Sequence, residues 1–437
     1  MNKVKLEHYI SKEKKSLISG PFGSNISSKF FVSSGIPVIR GNNLTYGERK
    51  FIDSGFVFVS EEKADELGCD AIKDDIIITA AGTIGQIGLI TNDLKYNRYV
   101  ISNKQIRLRL DNSVCDVKFI YLLLNSEIVR QQIINNNTGS TIPLINLSVV
   151  RNILIPEFGQ PTQQKIASVL SSLDDKIELN NRINAELEAM AKTLYDYWFV
   201  QFDFPNSPPL EGWQNSKNFE GVVGYKSSGG KMVYNETLKR KIPEGWEVKK
   251  LEEIEGKIVT GKTPPTKISE YFNGNIPFIT IDDIRKQSYI FNAERNLTIL
   301  GAESQPNKYV YSGDICVSCI GTIGIIGIVA TTSQTNQQIN TISQIKDYNR
   351  YFLLNSLKNY FEYNVGAKKG AVLDNMNKQE FSSIPILDAN RDLKELFFDK
   401  VNPIYEKIKL NLKQNQELSA LRDWLLPMLM NGQVKVE

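Results

Sequence analysis

The chain has 437 residues, which is too long for one ordinary hydrophobic core, so we expect two or three domains. Its 52 basic and 49 acidic side chains nearly cancel, which excludes a protein that binds nucleic acid through overall charge; any such site must come from local clustering. The single histidine, His8, excludes most histidine-based triads and metal sites.

Residues 1–160 predict a first strand-rich globular domain. The N-terminal stretch MNKVKLEHYISKEKKS has no apolar run of the signal-peptide type, so we expect a cytoplasmic protein. Further along, residues 76–90 read IIITAAGTIGQIGLI, in which glycines recur every third residue among β-branched side chains. This pattern predicts a buried strand, a turn and a second strand.

Residues 161–200 predict a long helix with a coiled-coil seam, because apolar side chains recur at alternating intervals of four and three. Two asparagines interrupt the apolar seam. A polar side chain at such a position costs stability but fixes the register of the partner helix. The seam residues are Ile166, Leu170, Leu173, Ile177, Asn180, Asn184, Leu187 and Leu194.

The segment 201–241 is rich in Pro, Gly, Ser and Asn and predicts a linker. Residues 242–390 predict a second strand-rich domain, because the segment ICVSCIGTIGIIGIV at 315–329 repeats the glycine pattern of 76–90. A membrane span is the alternative for 315–329. The glycines and β-branched residues favour buried strands instead.

Residues 391–431 predict a second long helix, and 432–437 a tail. The second seam repeats the first at one offset, since 397 − 166 = 231, and has its own asparagine pair. Pro403 lies inside this pattern, so we expect the helix to be kinked or to begin near residue 402. The seam residues are Ile404, Ile408, Asn411, Asn415, Leu418 and Leu425.

The fold class indicated by these elements is mixed α/β, of the α+β kind. Two strand-rich globular domains are separated by two long helices, which gives an internal pseudo-twofold repeat. If the two helices pack antiparallel, Asn180 lies near Asn415 and Asn184 near Asn411, so that each amide satisfies another. Parallel packing is the alternative and pairs each asparagine with its counterpart in the repeat.

Several familiar motifs fail on closer inspection, so no catalytic residue and no metal ligand is predicted. The P-loop pattern GKIVTGKT at 256–263 is followed by two prolines instead of a helix. The SPPL at 207–210 lacks the aromatic residue that amino-methyltransferases stack on a flipped base. Cys316 and Cys319 are interpreted as buried apolar residues. Asp174 and Asp175 are expected on a solvated helix surface.

Polar loops at matching places in the two domains form a candidate DNA-binding constellation. Glycine, hydroxyl and lysine donors suit phosphate groups, whereas Asn, Gln and Arg side chains suit base edges. The alternative is that part of the set are ordinary polar loop residues. In the first domain the set is Ser19, Gly20, Phe22, Ser24, Arg40, Asn42, Asn43, Asn103, Lys104 and Gln105. In the second domain it is Thr260, Lys262, Thr263, Lys267, Thr280, Asp282, Asn336, Gln337, Gln338, Lys368 and Lys369.

These features together resemble the specificity subunit of type I restriction-modification systems. The carriers of the resemblance are the two GTIG segments, NKQI at 103–106 with NQQI at 336–339, the two long helices, and the strings YWFVQFDFP and IPEGWEVKKL. The resemblance spans essentially the whole chain.

The resemblance implies a non-catalytic subunit in which each domain recognises one half of a bipartite, asymmetric site in double-stranded DNA. It implies two target recognition domains separated by two long helices that are packed as an antiparallel coiled coil. These helices are expected to set the spacer and to dock two methyltransferase subunits, and restriction subunits with helicase and nuclease activity are expected to join the complex. S-adenosylmethionine, for adenine methylation, and ATP with Mg²⁺ are expected in those partners and no cofactor in this chain. A stand-alone tandem DNA-binding regulator is the alternative.

Overall fold

The computed structural model describes residues 2–45, 51–139, 141–205, 224–366, 375–430 and 433–434. The chain divides into two compact units, one formed by Met1–Asn180 with Gln414–Glu437 and the other by Asn181–Lys413. Each unit contains one globular domain and a segment of each long helix. The predicted fold class, with its two mixed domains and two long helices, is confirmed.

The first domain is built from short strands that form two four-stranded sheets and a two-stranded one. The strands are β1 (Lys3–Lys5), β2 (Leu17–Ser19), β3 (Ile36–Ile39), β4 (Val57–Val59), β5 (Asp70–Ala71), β6 (Ile76–Thr79), β7 (Ile87–Leu89), β8 (Tyr99–Ile101), β9 (Gln105–Leu108) and β10 (Leu154–Pro156). The helices are α1 (Glu61–Leu67), α2 (Val117–Leu124), α3 (Glu127–Asn135) and α4 (Leu147–Arg151). The sheet orders are β2-β9-β6-β7, β4-β3-β8-β5 and β1-β10.

The GTIG segment of the first domain forms the predicted hairpin. β6 pairs antiparallel with β7, and both strands are fully buried. The turn glycines Gly82 and Gly85 have φ of 86° and 89°, a left-handed conformation that costs glycine little and other residues more. Before the hairpin, the buried Asp75 carboxylate accepts two hydrogen bonds of 2.8 Å from the Arg109 guanidinium. This paired charge holds the start of β6.

The first long helix is α5 (Gln160–Tyr195), and a π-helical turn, Asp196–Val200, continues it. The helix has 36 residues. At a rise of about 1.5 Å per residue, a helix of this size is roughly 50 Å long. Pro161 falls in its first turn, where a missing N–H removes no intrahelical hydrogen bond.

The second domain repeats the first with additions. Its strands are β11 (Met232–Asn235), β12 (Arg240–Pro243), β13 (Glu247–Lys250), β14 (Ile258–Thr260), β15 (Phe272–Ile279), β16 (Tyr289–Ile290), β17 (Asn296–Leu297), β18 (Tyr309–Val310), β19 (Ile315–Ser318), β20 (Ile326–Val329), β21 (Ser333–Thr335), β22 (Ile339–Ile342) and β23 (Pro385–Asp388). The helices are α6 (Leu251–Ile254), α7 (Ile281–Lys286), α8 (Ile299–Glu303), α9 (Asp347–Gly366), α10 (Lys378–Ser382) and α11 (Arg391–Met430).

The strand orders show the duplication directly. The second domain has the sheets β14-β22-β19-β20-β16, β17-β15-β21-β18, β13-β23 and β11-β12. The first three reproduce, strand for strand, the three sheets of the first domain, with β16 added at one edge. Duplicated sequence has therefore given duplicated topology.

Residues 315–329, for which a membrane span was the alternative, form β19, a turn and β20. Among the described residues, no helix has the length and apolarity that crossing a membrane requires. Cys316 and Cys319 lie buried in this hairpin, as interpreted from the sequence.

The expectation that α11 begins near residue 402 is wrong. The helix begins at Arg391 and passes through Pro403, which lies on an exposed face. On the opposite face Phe397, Val401 and Tyr405 are fully or almost fully buried in the core of the second unit. Burying three such side chains stabilises the helix by several kcal/mol at about 1.5–3 kcal/mol each, which offsets the cost of one interior proline, ~3 kcal/mol.

The linker prediction for 201–241 needs a correction. Residues 206–223, which include the SPPL string, lie outside the described residues, but the segments on both sides are packed. Phe202 and Phe204 are buried against Trp246, at ring-centroid distances of 5.6 and 5.2 Å. After the gap, β11 and β12 form a hairpin. Phe202, Phe204 and the partly buried Tyr225 belong to one hydrophobic cluster with Trp246.

Candidate nucleic-acid interface

A cleft in the first domain forms where two neighbouring parallel strands end. β3 and β8 pair in parallel, so their carboxyl ends meet at one edge of the sheet, a place where α/β proteins often bind ligands. Arg40 follows β3, and Ser102, Asn103 and Lys104 follow β8. Four residues of the predicted set therefore line this cleft, namely Arg40, Asn42, Asn103 and Lys104.

The loop at 19–24 lies against the same edge. The Gly20 N–H donates to the Gln105 carbonyl at 2.9 Å. A Cβ at Gly20 would collide with the Ser102 carbonyl oxygen, so the close approach requires glycine. Ser19, Ser24 and Phe22 are exposed, and Phe22 keeps 84% of its surface accessible.

The turn of the GTIG hairpin supplies another wall of the cleft, which the sequence-based set missed. Thr79, Ala81, Gly82 and Thr83 line it. The duplication of this turn, with hydroxyl side chains beside its glycines, is the signal that would have indicated these residues.

Two residues of the predicted set are used inside the fold instead. Asn43 is fully buried: its Oδ1 accepts from the Arg40 N–H at 2.9 Å, and its Nδ2 donates to the Ile52 and Ser54 carbonyls. Gln105 is also fully buried, and its amide is hydrogen-bonded to the Ser102 hydroxyl. Both side chains hold the loops that form the cleft and present no surface to a ligand.

The second domain brings the equivalent loops together. β15 and β21 are parallel neighbours, and Thr280 and Asn336 follow their ends. The Thr260 hydroxyl donates to Asn340 Oδ1 at 2.7 Å, and the Thr263 hydroxyl to Gln337 Oε1 at 2.6 Å. The two strand ends and the loop at 260–263 therefore form one polar surface.

The remaining predicted residues of the second domain lie in several different environments. Lys262 and Lys267 are exposed. Asp282 is exposed and pairs with Arg285, whose guanidinium also donates to the Thr322 hydroxyl of the second GTIG turn at 3.2 Å. Asn336 Nδ2 donates to Gln338 Oε1 at 2.9 Å. Lys368 and Lys369 lie outside the described residues.

Backbone hydrogen bonds place the matching NKQI and NQQI strings one residue out of register. Ala80 N–H donates to the Lys104 carbonyl in the first domain, and Cys319 N–H to the Gln338 carbonyl in the second, each at 2.7 Å. The structural equivalent of Lys104 is therefore Gln338 and not Gln337. Side chains alternate between the two faces of a strand, so a shift of one residue places Gln105 and Gln338 in different environments. Gln105 is buried, whereas Gln338 is partly exposed.

The two asparagine pairs of the helix seam are hydrogen-bonded in the antiparallel register. In the first unit, Asn180 Nδ2 donates to Asn415 Oδ1 at 2.8 Å. In the second, Asn411 Nδ2 donates to Asn184 Oδ1 at 2.8 Å. All four asparagines are buried, so each of these hydrogen bonds takes the place of one that the amide would otherwise make with water.

The other seam positions face inward to different degrees. Ile166, Leu170, Ile177 and Ile408 are buried, whereas Leu173, Leu187, Leu194, Ile404, Leu418 and Leu425 are half-buried. Asp174, which we expected on a solvated surface, is 8% exposed and forms an ion pair of 2.9 Å with Arg422. The heptad position of Arg422, on the inner face of the facing helix, explains the difference.

Nothing in the described part of the chain forms a group of three or more His, Cys, Asp or Glu side chains suited to a metal ion. In the second GTIG hairpin, burial raises the pKa of the Cys316 thiol to about 12 and that of Cys319 to about 11. Such thiols are poor nucleophiles and poor metal ligands. The P-loop-like string at 256–263 contains β14 and leads into a loop, and the next element is the three-residue 3₁₀ helix Ser269–Tyr271. Phosphate binding by a P-loop requires an α-helix directly after the string, and none follows it in this described part of the chain.

Comparison with known proteins gives consistent relatives. A family model described as "Type I restriction modification DNA specificity domain" matches residues 23–189 and 243–420. The type I restriction enzyme HindI specificity subunit of Haemophilus influenzae is 32% identical over 389 residues, covering 80% of this chain and 84% of the relative. The MjaIX specificity subunit of Methanocaldococcus jannaschii is 27% identical over 425 residues, covering 95% and 91%.

Among solved structures, the type I restriction-modification S subunit from M. genitalium has a similar fold. It aligns with a TM-score of 0.53 and 16% identity, over 98% of this chain and 95% of that one.

Proposed function

Because this chain belongs to the type I restriction-modification DNA specificity family, we propose that each of its domains reads one half of a bipartite DNA target for a type I complex. The chain is the non-catalytic specificity subunit. The observation that carries the proposal is the duplicated polar surface, since each domain has one where two parallel strands end.

The polar surfaces of the two domains carry side chains that are suited to contacts with DNA. Amides such as Asn103 and Gln337 pair with adenine edges, and Arg40 suits guanine. Exposed lysines, Lys104 in the first domain and Lys262 in the second, suit phosphates. Because the two polar surfaces carry different residues at equivalent places, the two half-sites differ and the target is asymmetric.

The long helices set the spacer between the half-sites. α5 and α11 each contribute to both units, and the buried asparagine pairs fix one antiparallel register. Removing one matched heptad from each helix should therefore shorten the spacer while both half-sites persist.

Two equivalent apolar patches support the docking of two methyltransferase subunits. The α5 patch is Met190, Leu194 and Tyr197, and the α11 patch is Leu421, Trp424, Leu425 and Met428. At the seam offset of 231, Met190 corresponds to Leu421, Leu194 to Leu425 and Tyr197 to Met428, whereas Trp424 has Thr193 at the equivalent place. Met190 is 59% exposed and Trp424 57%. Exposed apolar side chains repeated on both helices fit two copies of one partner.

The docking surfaces can be tested with the full chain and its methyltransferase. Trp424→Ala and Met190→Ala should each weaken binding of one methyltransferase copy by about tenfold or more, because large central side chains dominate interfaces. Tyr234→Ala is the matched control, since Tyr234 on β11 has the same 57% exposure as Trp424 and lies outside both patches. Equal effects of all three variants would contradict the assignment.

The chemistry belongs to the partners. Methyltransferase subunits use S-adenosylmethionine to methylate adenine, and restriction subunits use ATP and Mg²⁺ to translocate and cleave DNA. DNA as substrate places the complex in the cytoplasm. The alternative of a stand-alone regulator is not favoured. The relatives are restriction enzyme specificity subunits, and the alignments cover 84% and 91% of their lengths.

Mapping methylated adenines in the host with and without this gene tests the proposal. Loss of one bipartite asymmetric motif on deletion is the expected result. An unchanged pattern, with the methyltransferase gene intact and expressed, would contradict it.

A further inference from the structure

We propose that Arg40 selects a guanine in the half-site read by the first domain, and that the second domain, with Thr280 at the equivalent place, makes no such selection. The inference rests on the proposed function and deepens it, since it assigns base specificity to one side chain.

Arg40 and Thr280 occupy the same position in the two copies. Each directly follows the first strand of the parallel pair, β3 or β15, and precedes a capped turn. The Arg40 N–H is held by Asn43 Oδ1 at 2.9 Å, and the Thr280 N–H by Asp283 Oδ2 at 2.8 Å. Asn43 and Asp283 are themselves buried, so both backbones are fixed. The first domain thus has a cation at this place, and the second has a short hydroxyl that donates to Asp283 Oδ2 at 2.7 Å.

The Arg40 side chain is anchored but has unused donors. Its Nη2 donates to the Gly55 carbonyl at 3.4 Å, a long hydrogen bond. Its Nε is buried and, among the described residues, has no hydrogen-bond acceptor. The Arg40 side chain is half-exposed on the cleft wall, and its accessible surface belongs to atoms other than Nε. Because the buried Nε is inaccessible, a ligand in the cleft meets the terminal nitrogens of the guanidinium.

Guanine is the base whose edge fits this donor set. Its major-groove edge offers two acceptors, O6 and N7, which match the planar fork of a guanidinium. Lys104, on the same cleft, is an exposed point charge on a flexible stem and suits a phosphate instead. One cleft therefore contains a base-reading cation and a phosphate-binding cation, and removal of each has a different effect on DNA binding.

The experiment uses the full-length chain assembled with its methyltransferase subunits. The probes are DNA duplexes carrying the mapped target, with each of the four bases placed in turn at every position of the first half-site. Arg40→Ala should lower discrimination at one guanine by roughly 5- to 150-fold and leave the second half-site unchanged. Lys104→Ala should weaken binding to all duplexes alike and reduce the dependence of affinity on salt by about one phosphate.

Arg40→Lys separates the two roles further, because it keeps the charge and loses the fork. It should lose guanine discrimination while retaining the salt dependence. An even loss across all duplexes in Arg40→Ala, or full discrimination in Arg40→Lys, would overturn the assignment and identify Arg40 as a phosphate contact. A first half-site without guanine would also overturn it. If the wild-type complex shows no sequence preference at all, the proposed function itself fails, which is a distinct result.

Discussion

The ion pair between Asp174 and Arg422 predicts a large and specific loss of stability in the first unit. The two side chains are 11% and 12% exposed, and the atoms that join them are 2.9 Å apart. Arg422→Met removes the guanidinium and keeps an apolar stem, so the buried Asp174 carboxylate loses its ion pair with Arg422. Breaking a buried pair in this way costs about 3–5 kcal/mol. Because an open cleft that water can enter adjoins the pair, we expect a loss near the lower end, ~3 kcal/mol.

The double variant Asp174→Leu with Arg422→Met distinguishes pairing from packing. Replacing both charges by apolar side chains is commonly neutral or stabilising by about 1–4 kcal/mol, so the double variant should recover the stability that the single variant loses. Urea unfolding, with hydrogen exchange of the amides in residues 166–180 as a local probe, measures both. Lys231→Met is the control for an exposed pair, since Lys231 and Glu244 are 72% and 51% exposed; its effect should be below ~1 kcal/mol. A loss under ~1 kcal/mol in Arg422→Met, or a double variant as unstable as the single one, would show that the pair contributes no more than a surface one.

Buried groups elsewhere in the chain give three more predictions. Asn411→Leu removes the donor to Asn184 and should destabilise the chain by ~1–3 kcal/mol, whereas Leu at both positions should restore much of the loss in urea unfolding; a neutral single variant would contradict this. The four cysteines are buried, and burial raises the pKa of Cys316 to about 12, so a thiol reagent at pH 8 should modify none in the native chain and all four in urea. Burial also raises the pKa of Asp314 above its ordinary 3.8, so between the unfolded and the folded pKa the folded state keeps a proton that the unfolded state has lost. The unfolding free energy should therefore fall as pH rises through this window, and Asp314→Asn should flatten the dependence; an unchanged slope would count against it.

The repeat and its helices could be predicted because their signals are local. A strand, turn and strand follow from glycines spaced among β-branched residues, and the two seams with their asparagine pairs follow from one repeated offset. Asn180 and Asn415 lie 235 positions apart in the chain. The offset allows both parallel and antiparallel pairing, and the family resemblance is what favours the antiparallel one.

The cleft could be predicted only in part, because it depends on which strands become neighbours. Nothing local indicates that β3 and β8 pair in parallel, which is what brings Arg40 to Asn103. Asn43 was included because an exposed amide and a buried capping amide have the same sequence signature. NKQI and NQQI share three of four residues, and this similarity suggested a register that the backbone hydrogen bonds shift by one residue.

Tertiary packing also overrode two local signals in the helices. Pro403 predicts an interruption, but the buried face around Val401 offsets its cost. An aspartate in a helix is normally expected on a solvated surface. Asp174 is buried instead because it pairs with Arg422, which lies 248 positions away in the chain and cannot be recognised from the local sequence.

Separate reading of the two half-sites by the two domains can be tested by a domain exchange. Residues 1–160 are replaced by those of a relative with a different target, and methylated adenines are mapped in cells that carry the matching methyltransferase. We expect one half of the bipartite motif to change to that of the relative, while the other half and the spacer persist. A change in both halves, or in neither, would show that the domains do not read the DNA independently.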